Sequence, residues 1–404
     1  MGFSCLKLLI LSFYYQPDLS AGSFRTTALI KALLEQLPEA VEIELITTLP
    51  NRYSTFSIAA AELEVLPRLT IRRIALPPHH GGMVDQSKVF LAYARGVLKL
   101  VADQQYSMVY ATSSRLMTAA LGAWVARRAR TPLYLDIRDI FVDTIGDVLP
   151  KKMVWAIKPI FSCLEWLTIR SAGKVNLVSA GFLPYFKQRY PRQRYSLFTN
   201  GIDDEFLPVL PAHAAHESRE LVVRDVLDIV YAGNMGEGQG LHGIIPQLAK
   251  RFEGRLQFRI IGDGGKYRQL VEALAAAQCH NVQLCAPLSR AELIEVYRSA
   301  DVLFLHLNDY QAFRKVLPSK LFEYAALGKP IWAGVAGYAA DFVRQNISNS
   351  AVFPPCDVDS AVKVFESLRL ATEPRATFVE QYSRGNIMRE MARDISSELQ
   401  SGMN

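Results

Sequence analysis

Cysteine is scarce in this chain. There are five among 404 residues, an odd number with no C-x-x-C pair. That excludes a disulfide framework and a cysteine zinc site, and it points to a reducing compartment such as the cytoplasm. No uninterrupted apolar run reaches the ~18 residues that a membrane-spanning helix needs. The apolar stretch Leu6–Tyr15 is short, runs into Gln16-Pro17-Asp18 and lacks a small-residue cleavage site. It therefore reads as a first buried strand and not as a signal peptide. Basic residues are scattered and no nucleic-acid motif is present, so no nucleic-acid partner is expected. Neither half carries the full G-x-G-x-x-G fingerprint with its acidic partner, which argues against a dinucleotide oxidoreductase. No internal repeat or low-complexity segment stands out.

What is present is core-forming sequence: 50% hydrophobic and 21% charged. A chain this long suggests two domains of roughly 200 residues each. Residues 1–200 hold 24 Lys+Arg and 14 Asp+Glu, a net +10, and residues 201–404 hold 21 and 25, a net −4. A basic first half suits an anionic partner such as lipid headgroups or a diphosphate. Strands fit Lys7–Phe13, Glu42–Thr47, Thr70–Ile74, Met108–Ala111, Leu133–Ile137 and Lys174–Val178, then Asp228–Ala232, Leu256–Ile261, Val282–Leu284, Val302–Leu305, Pro330–Ala333 and Ser350–Phe353. Helical segments alternate with them, so the expected fold class is α/β, with two Rossmann-like parallel-sheet domains facing a central cleft. The expected domains are 1–206, a linker at 207–225, and 226–376, with a single helix Thr377–Gln400 in a tail (377–404) that packs back on the first domain. Ligands of such sheets sit at the carboxyl ends of the strands.

The most informative stretch is Leu317–Pro330, L-P-S-K-L-F-E-Y-A-A-L-G-K-P. Pro318 suits the start of a helix, Ser319 is a candidate cap, and Gly328 with Pro330 ends the helix. Lys320, Glu323 and Leu327 share one helical face. A helix start carrying Ser and Lys is an anion site, and a carboxylate one turn on can accept from a sugar diol. Phosphate plus ribose means a nucleotide; the plain alternative is an amphipathic surface helix.

Other segments add to this. Gly22, Ser23 and Arg25 follow the first strand, where backbone amides and a cation could meet a phosphate, or form a simple strand-to-helix loop. Asp228–Gly240 runs from a strand into a loop with Gly233, Gly236, Gly238 and Gly240, a phosphate nest or a hinge. Gly262 and Gly264 follow the next strand, and Asn200-Gly201 marks a tight turn. Asp136, Asp139 and Asp143 lie at or after the end of a strand, suited to a base or sugar contact or to an Arg–Asp pair. Asp357-Val358-Asp359 resembles a metal motif, but Asp359 as a helix cap is the better reading. His79-His80 lie in a loop without metal-ligand spacing, and His306 reads as a satisfied rim residue. Residues 151–170 are basic and rich in Trp and Phe; the face suits a membrane interface or the domain core, with Pro159 and Glu165 interrupting it.

Together these pieces resemble the family 4 glycosyltransferases of the GT-B fold, closest to the bacterial surface-polysaccharide branch with N-acetylfucosaminyl transferase-like members. The order matches over nearly the whole chain: G-S-x-x-R, N-G-I-D, the Gly-rich loop, G-D-G, then P-S-K-L-F-E-Y-A-A-L-G-K-P. The resemblance implies a retaining, metal-independent hexosyl transfer without a cofactor. The donor is a nucleotide-sugar, a UDP-sugar favoured, and the acceptor a glycan or a polyprenyl-diphosphate-linked glycan. Glu323 would bind the ribose, Ser319 and Lys320 the diphosphate, and the backbone around Leu288 the base. Gly22, Ser23, Gly233, Asn234, Gly236, Gly262 and Gly264 would line the donor site, and Lys320, Arg25 and Asp139 would serve catalysis. The protein would act in the cytoplasm, with peripheral membrane contact through 151–170.

The chain departs from the family pattern in two places. Lys315 stands where the first carboxylate of E-x7-E is usual, and Asn234 and Gln239 stand where an Arg and a Lys usually clamp the diphosphate. Lys320, with Arg314, Lys315 or Arg25, would supply the missing charge. Two other functions stay open on sequence: a nucleotide-sugar 2-epimerase and a non-catalytic nucleotide-sugar binding subunit.

Overall fold

The computed structural model describes residues 6–18, 20–50, 59–77, 83–113, 116–143, 151–207 and 226–401. The chain divides into two compact units, Met1–Asn200 with Arg384–Asn404, and Gly201–Ser383. Each is built on its own α/β sheet.

In the first unit the strands are β1 (Leu6–Leu11), β2 (Val41–Thr48), β3 (Leu63–Leu66), β4 (Leu69–Ile74), β5 (Met108–Thr112), β6 (Leu133–Ile137), β7 (Lys174–Leu177) and β8 (Tyr195–Ser196). Their order is β3-β4-β2-β1-β5-β6-β7-β8, parallel except for the β3–β4 pair. The helices are α1 (Ala21–Gln36), α2 (Met83–Val101), α3 (Leu116–Ala129), α4 (Lys151–Ser171) and α5 (Leu183–Arg189). Leu8–Leu11 are fully buried, as a central strand covered on both faces requires. Strand order reverses between β1 and β5, so the loops after these strands flank a switch point. β3, β8 and α5 were not expected. β3 is a short L-E-V-L run with mostly exposed residues, and β8 has only two residues, so neither carries a burial period.

In the second unit the strands are β9 (Leu227–Ala232), β10 (Leu256–Ile261), β11 (Val282–Cys285), β12 (Val302–His306), β13 (Ile331–Gly334) and β14 (Ser350–Phe353). They form a six-stranded parallel sheet in the order β11-β10-β9-β12-β13-β14, with the switch between β9 and β12. The helices are α6 (Leu241–Arg251), α7 (Tyr267–Ala276), α8 (Arg290–Ser299), α9 (Lys320–Ala326), α10 (Tyr338–Asn346), α11 (Val358–Phe365) and α12 (Ala376–Gln381). Alternate residues of β9 feed two separate cores, Val230 and Ala232 one, Ile229 and Tyr231 the other.

Two expectations about boundaries are corrected. The first domain ends at Asn200, not 206, because Ile202 and Phe206 are buried in the second unit's core. The expected linker, 207–225, falls outside the described residues from 208 on, as do His79-His80. The single tail helix is two helices, α12 and α13 (Arg384–Ser401). The rings of Phe378 and Tyr382 pack on Phe322 and Phe342 of the second unit, and Ile202 N–H donates to the Tyr382 carbonyl (2.8 Å). Arg384–Ser401 belongs to the first unit, packed on α1. A smaller correction concerns α11: Asp357, not Asp359, is its cap, accepting from Ser360 N–H at 3.0 Å. No helix among the described residues is long and apolar enough to cross a membrane.

Candidate active site

The second unit's switch point gathers most of the residues singled out in the sequence. β9 delivers the Gly-rich loop, and β12 leads through residues 307–319, with a 3-10 turn at Phe313–Lys315, to Lys320–Ala326. α9 buries Leu321, Phe322, Tyr324, Ala325 and Ala326, which leaves Lys320 and Glu323 on its partly exposed face. Gly328 stops it with a φ of +70°, and a Cβ there would meet the Glu373 carbonyl oxygen at 2.6 Å.

Lys320 is the distinctive group. Its ammonium lies 5.5 Å from the Tyr231 ring centroid and against the Gly233 backbone, where a Cβ would meet Nζ at 2.1 Å. Gly233, with φ +140°, is the residue that makes room for it. Among the described residues this ammonium makes no hydrogen bond or ion pair. Burial lowers its pKa, and the nearby Glu323 carboxylate opposes that shift. A desolvated cation with a carboxylate nearby but no direct ion-pair partner is a candidate anion site.

Ser319 is not the cap expected of it. Its backbone is already helical (φ −62°, ψ −34°), its side chain makes no capping bond, and the turn begins at Pro318, whose carbonyl accepts from Leu321 N–H. With only two turns, α9 has a small dipole, so charge at this end comes from Lys320. Glu323 faces a second cation: its charge helps to raise the pKa of Arg290, which also pairs with Asp203 and Glu205 and lies 4.9 Å from the Phe206 ring. Sequence reasoning took Asp203 only as part of a turn and did not single out Arg290.

The glycine loops pack on one another. Gly233 N–H donates to Ile261 O (2.8 Å), Met235 N–H to Asp263 O (2.8 Å), and Gly262 N–H to Cys285 O (3.0 Å). A Cβ at Gly262 would meet Gly233 O at 1.9 Å, and one at Gly264 would meet Met235 O at 2.6 Å, so both positions need glycine. Asn234 and Gln239 bond each other at 2.8 Å, and Gly236 N–H adds a contact to the same Gln239 oxygen. Glu237 receives Lys266 (2.8 Å) and the Tyr310 hydroxyl (2.6 Å), which hold its pKa low.

His306 also holds this loop. It is fully buried, donates from Nδ1 to Gln239 O at 2.7 Å and accepts at Nε2 from Cys356 N–H at 3.0 Å. Burial pushes its pKa down to about 4, so it is a neutral structural pin, as the satisfied-histidine reading expects. The Glu237–Lys266–Tyr310 and His306 tethers were missed as site elements because their partners are far apart in sequence.

At the rim, Arg314 is committed to Asp309 through two bonds (2.7 and 2.8 Å), and Lys315 is partly exposed. Leu288 packs on the core beside the Ser289–Glu292 capping box, which occupies Ser289 N–H.

The first unit departs from expectation. Arg25 was expected to contribute charge to a diphosphate, but it is 1% exposed and locked in place. It forms a bidentate pair with Asp136 (2.8 and 3.0 Å) and donates to Thr199 O (2.7 Å) and Phe198 O (2.8 Å). The pair raises the pKa of Arg25 and lowers that of Asp136. α1 aims this side chain at the end of β6, where a carboxylate waits, so Arg25 is a keystone and not a ligand group. Ser23 is equally inward: its side chain is buried and its N–H is taken by the Ser20 cap at 3.2 Å. Gly22, in the first turn of α1, accepts at its carbonyl from the Thr26 hydroxyl. Asp139 stands exposed just beyond β6.

Comparison with known proteins bears on what this arrangement is. Residues 27–201 match the family described as glycosyl transferase 4-like domain, and residues 216–384 match glycosyl transferases group 1. A search of curated protein sequences gives no significant match. Among solved structures, HepE of Anabaena, in complex with UDP and glucose, is 15% identical with a TM-score of 0.66, covering 97% of this chain and 100% of its own. The α,α-trehalose 6-phosphate synthase of Burkholderia multivorans is 11% identical with a TM-score of 0.67, covering 99% and 98%. WaaG, a glycosyltransferase involved in lipopolysaccharide biosynthesis, is 12% identical with a TM-score of 0.61, covering 98% of each. At these identities the structural likeness is one of fold, the two-domain GT-B architecture. The two matched glycosyltransferase domains together span 344 of the 404 residues, so the chain is a glycosyltransferase, on the GT-B fold.

Proposed function

We propose that this glycosyltransferase moves a hexosyl group from a UDP-sugar to a glycan or polyprenyl-diphosphate-linked acceptor in bacterial surface-polysaccharide synthesis, with retention of configuration and without a metal. The observation that carries the reading is the unpaired, desolvated ammonium of Lys320 against the Gly233 backbone. The chemistry needs a cation there. As the bond from C1 to the β-phosphate oxygen breaks, negative charge grows on the diphosphate, and a fixed cation in a water-poor site stabilises it. The acceptor hydroxyl oxygen bonds to C1 on the same face, and its proton passes to the departing phosphate. No protein nucleophile is needed. Ser319 adds a hydroxyl to the diphosphate, Glu323 takes the ribose diol, and the Gly233–Gly236 and Gly262–Gly264 backbone lines the donor. Asp139 binds an acceptor hydroxyl. The N-acetylfucosaminyl branch remains part of this proposal, on the motif alone.

The closure of Asn234 on Gln239 favours a second reading, a binding subunit that holds a nucleotide-sugar without transferring it. A thermal-shift panel of UDP, GDP, ADP and their sugars, with and without Mg²⁺, tests binding, since a ligand of the native state raises its melting temperature. The transferase reading expects a selective, metal-independent shift with UDP compounds, followed by turnover of that sugar when acceptor is added. A shift without any turnover supports the binding subunit; no shift with any nucleotide overturns both.

A further inference from the structure

Glu323 stands beside an aromatic cluster that ties three segments of the second unit together. α8 and α9 pack on one core, where the Tyr297 and Tyr324 rings meet edge to face with 5.1 Å between centroids. The Phe206 ring lies 6.4 Å from that of Tyr297 and 4.9 Å from the Arg290 guanidinium. Arg290 is the first residue of α8, and Glu323 directly precedes Tyr324 on α9. The guanidinium and the carboxylate therefore border the same cluster from two different helices.

Three carboxylates act on this one guanidinium. Its Nε donates to Glu205 and an Nη nitrogen donates to Asp203. The Asp203 side chain is 16% exposed and that of Glu205 59%, so Asp203 is the better-shielded partner and the firmer anchor. Burial alone would lower the Arg290 pKa, yet it is raised, by Asp203 first, then Glu323, then Glu205. Glu323 thus bears on Arg290 more strongly than a carboxylate in direct contact with it. Arginine suits such a place, because its planar fork carries five N–H donors, more than the two ion pairs use.

We propose that Arg290 is the positioning residue of Glu323, holding that carboxylate ionised and oriented for the ribose diol while Asp203 and Glu205 fix the guanidinium. The inference rests on the donor reading above and deepens it. A carboxylate accepts from both hydroxyls of a diol only while ionised, since protonation turns one of its oxygens into a donor. Beside apolar rings burial favours the neutral acid, and a neighbouring cation opposes that. Tyr297 and Tyr324 are held above their ordinary range by burial and stay neutral. Lys320 also acts on Glu323, but a bound diphosphate would draw on that charge. Arg290 is then the cation that serves the ribose end.

The test compares, by calorimetry on the full chain, the affinity for UDP with that for dideoxy-UDP, the analogue lacking both ribose hydroxyls. The native protein should prefer UDP about tenfold or more. Arg290→Met should cut that preference about fivefold while leaving affinity for the analogue unchanged. The loss should deepen as pH falls, because a carboxylate deprived of its cation takes up a proton at higher pH. Arg290→Lys, which keeps the charge, should restore part of the preference. In a Glu323→Ala background Arg290→Met should change the preference no further. If Arg290→Met does not fold, Arg290→Gln carries the same comparison. An unchanged preference in a folded variant, an equal loss of both ligands, or a further loss on top of Glu323→Ala overturns the assignment of Arg290 alone. A native protein that binds both ligands equally overturns the ribose role of Glu323 and this assignment with it. One that binds neither overturns the donor reading itself.

Discussion

Each unit sets a cation in the first turn or two of a helix at the switch point of its sheet, and the two cations have opposite fates. Arg25 in the first unit meets Asp136 from β6 and two backbone carbonyls, and is sealed in. Lys320 in the second unit meets a glycine backbone and a tyrosine ring, and stays unpaired. The difference lies in what the neighbouring strand ends supply. A carboxylate at the end of β6 turns the cation into a structural keystone. Glycines at the ends of β9 and β10 offer the lysine backbone and no carboxylate. Position relative to the fold therefore does not decide the role; the partner does.

The largest effect should come from breaking the sealed pair. Arg25→Met leaves a buried carboxylate uncompensated and should cost the first unit about 3–5 kcal/mol. Chemical denaturation should also show that Arg25→Met with Asp136→Leu recovers much of this loss. An equal loss in the double variant would mean the two groups do not act as a pair.

Acid should separate the two units next. His306 titrates near 6.5 unfolded and about 4 folded. Between those values the unfolded chain binds the extra proton, so stability rises with pH and is lost as pH falls from 6.5 to 4, by about 3 kcal/mol in all. Asp136 is held below its ordinary value, so its contribution is lost only below about pH 4. In pH-dependent unfolding, His306→Gln should remove the upper window and leave the lower one.

The open site can be blocked without touching a charge. Gly233→Ala should push the Lys320 amine aside and cut turnover about 10²-fold, the scale of a misplaced catalytic group. Normal turnover would show that the amine need not sit there. The smallest expected effect is Glu323→Ala, which should weaken donor binding by about 1–3 kcal/mol, read by calorimetry as a changed UDP-sugar affinity.

The sequence showed the α/β periodicity and most elements, because buried parallel strands and amphipathic helices carry strong patterns. It also showed the P-S-K-L-F-E-Y helix and the glycines that pack beside it. It misjudged Arg25, since nothing local says that a carboxylate 111 residues away will claim the guanidinium. It likewise missed Arg290–Asp203 and the partners that satisfy His306, which meet only once distant segments come together. Glu165 misled for the opposite reason: its charge broke a linear pattern while its helical angle placed it inside, where it accepts from the Tyr185 and Tyr190 hydroxyls.

The most direct test of the central claim is titration of UDP, with uridine as the phosphate-free control, into the native protein and into Lys320→Ala. The account predicts UDP binding in the native protein and its loss by roughly tenfold or more in the variant, the scale of a charged hydrogen bond. Uridine binding should be unchanged and the ligand-free melting temperature equal or higher, because a desolvated cation without a direct ion-pair partner is gone. UDP affinity unchanged by Lys320→Ala in a folded protein would contradict the assignment of this lysine to the diphosphate.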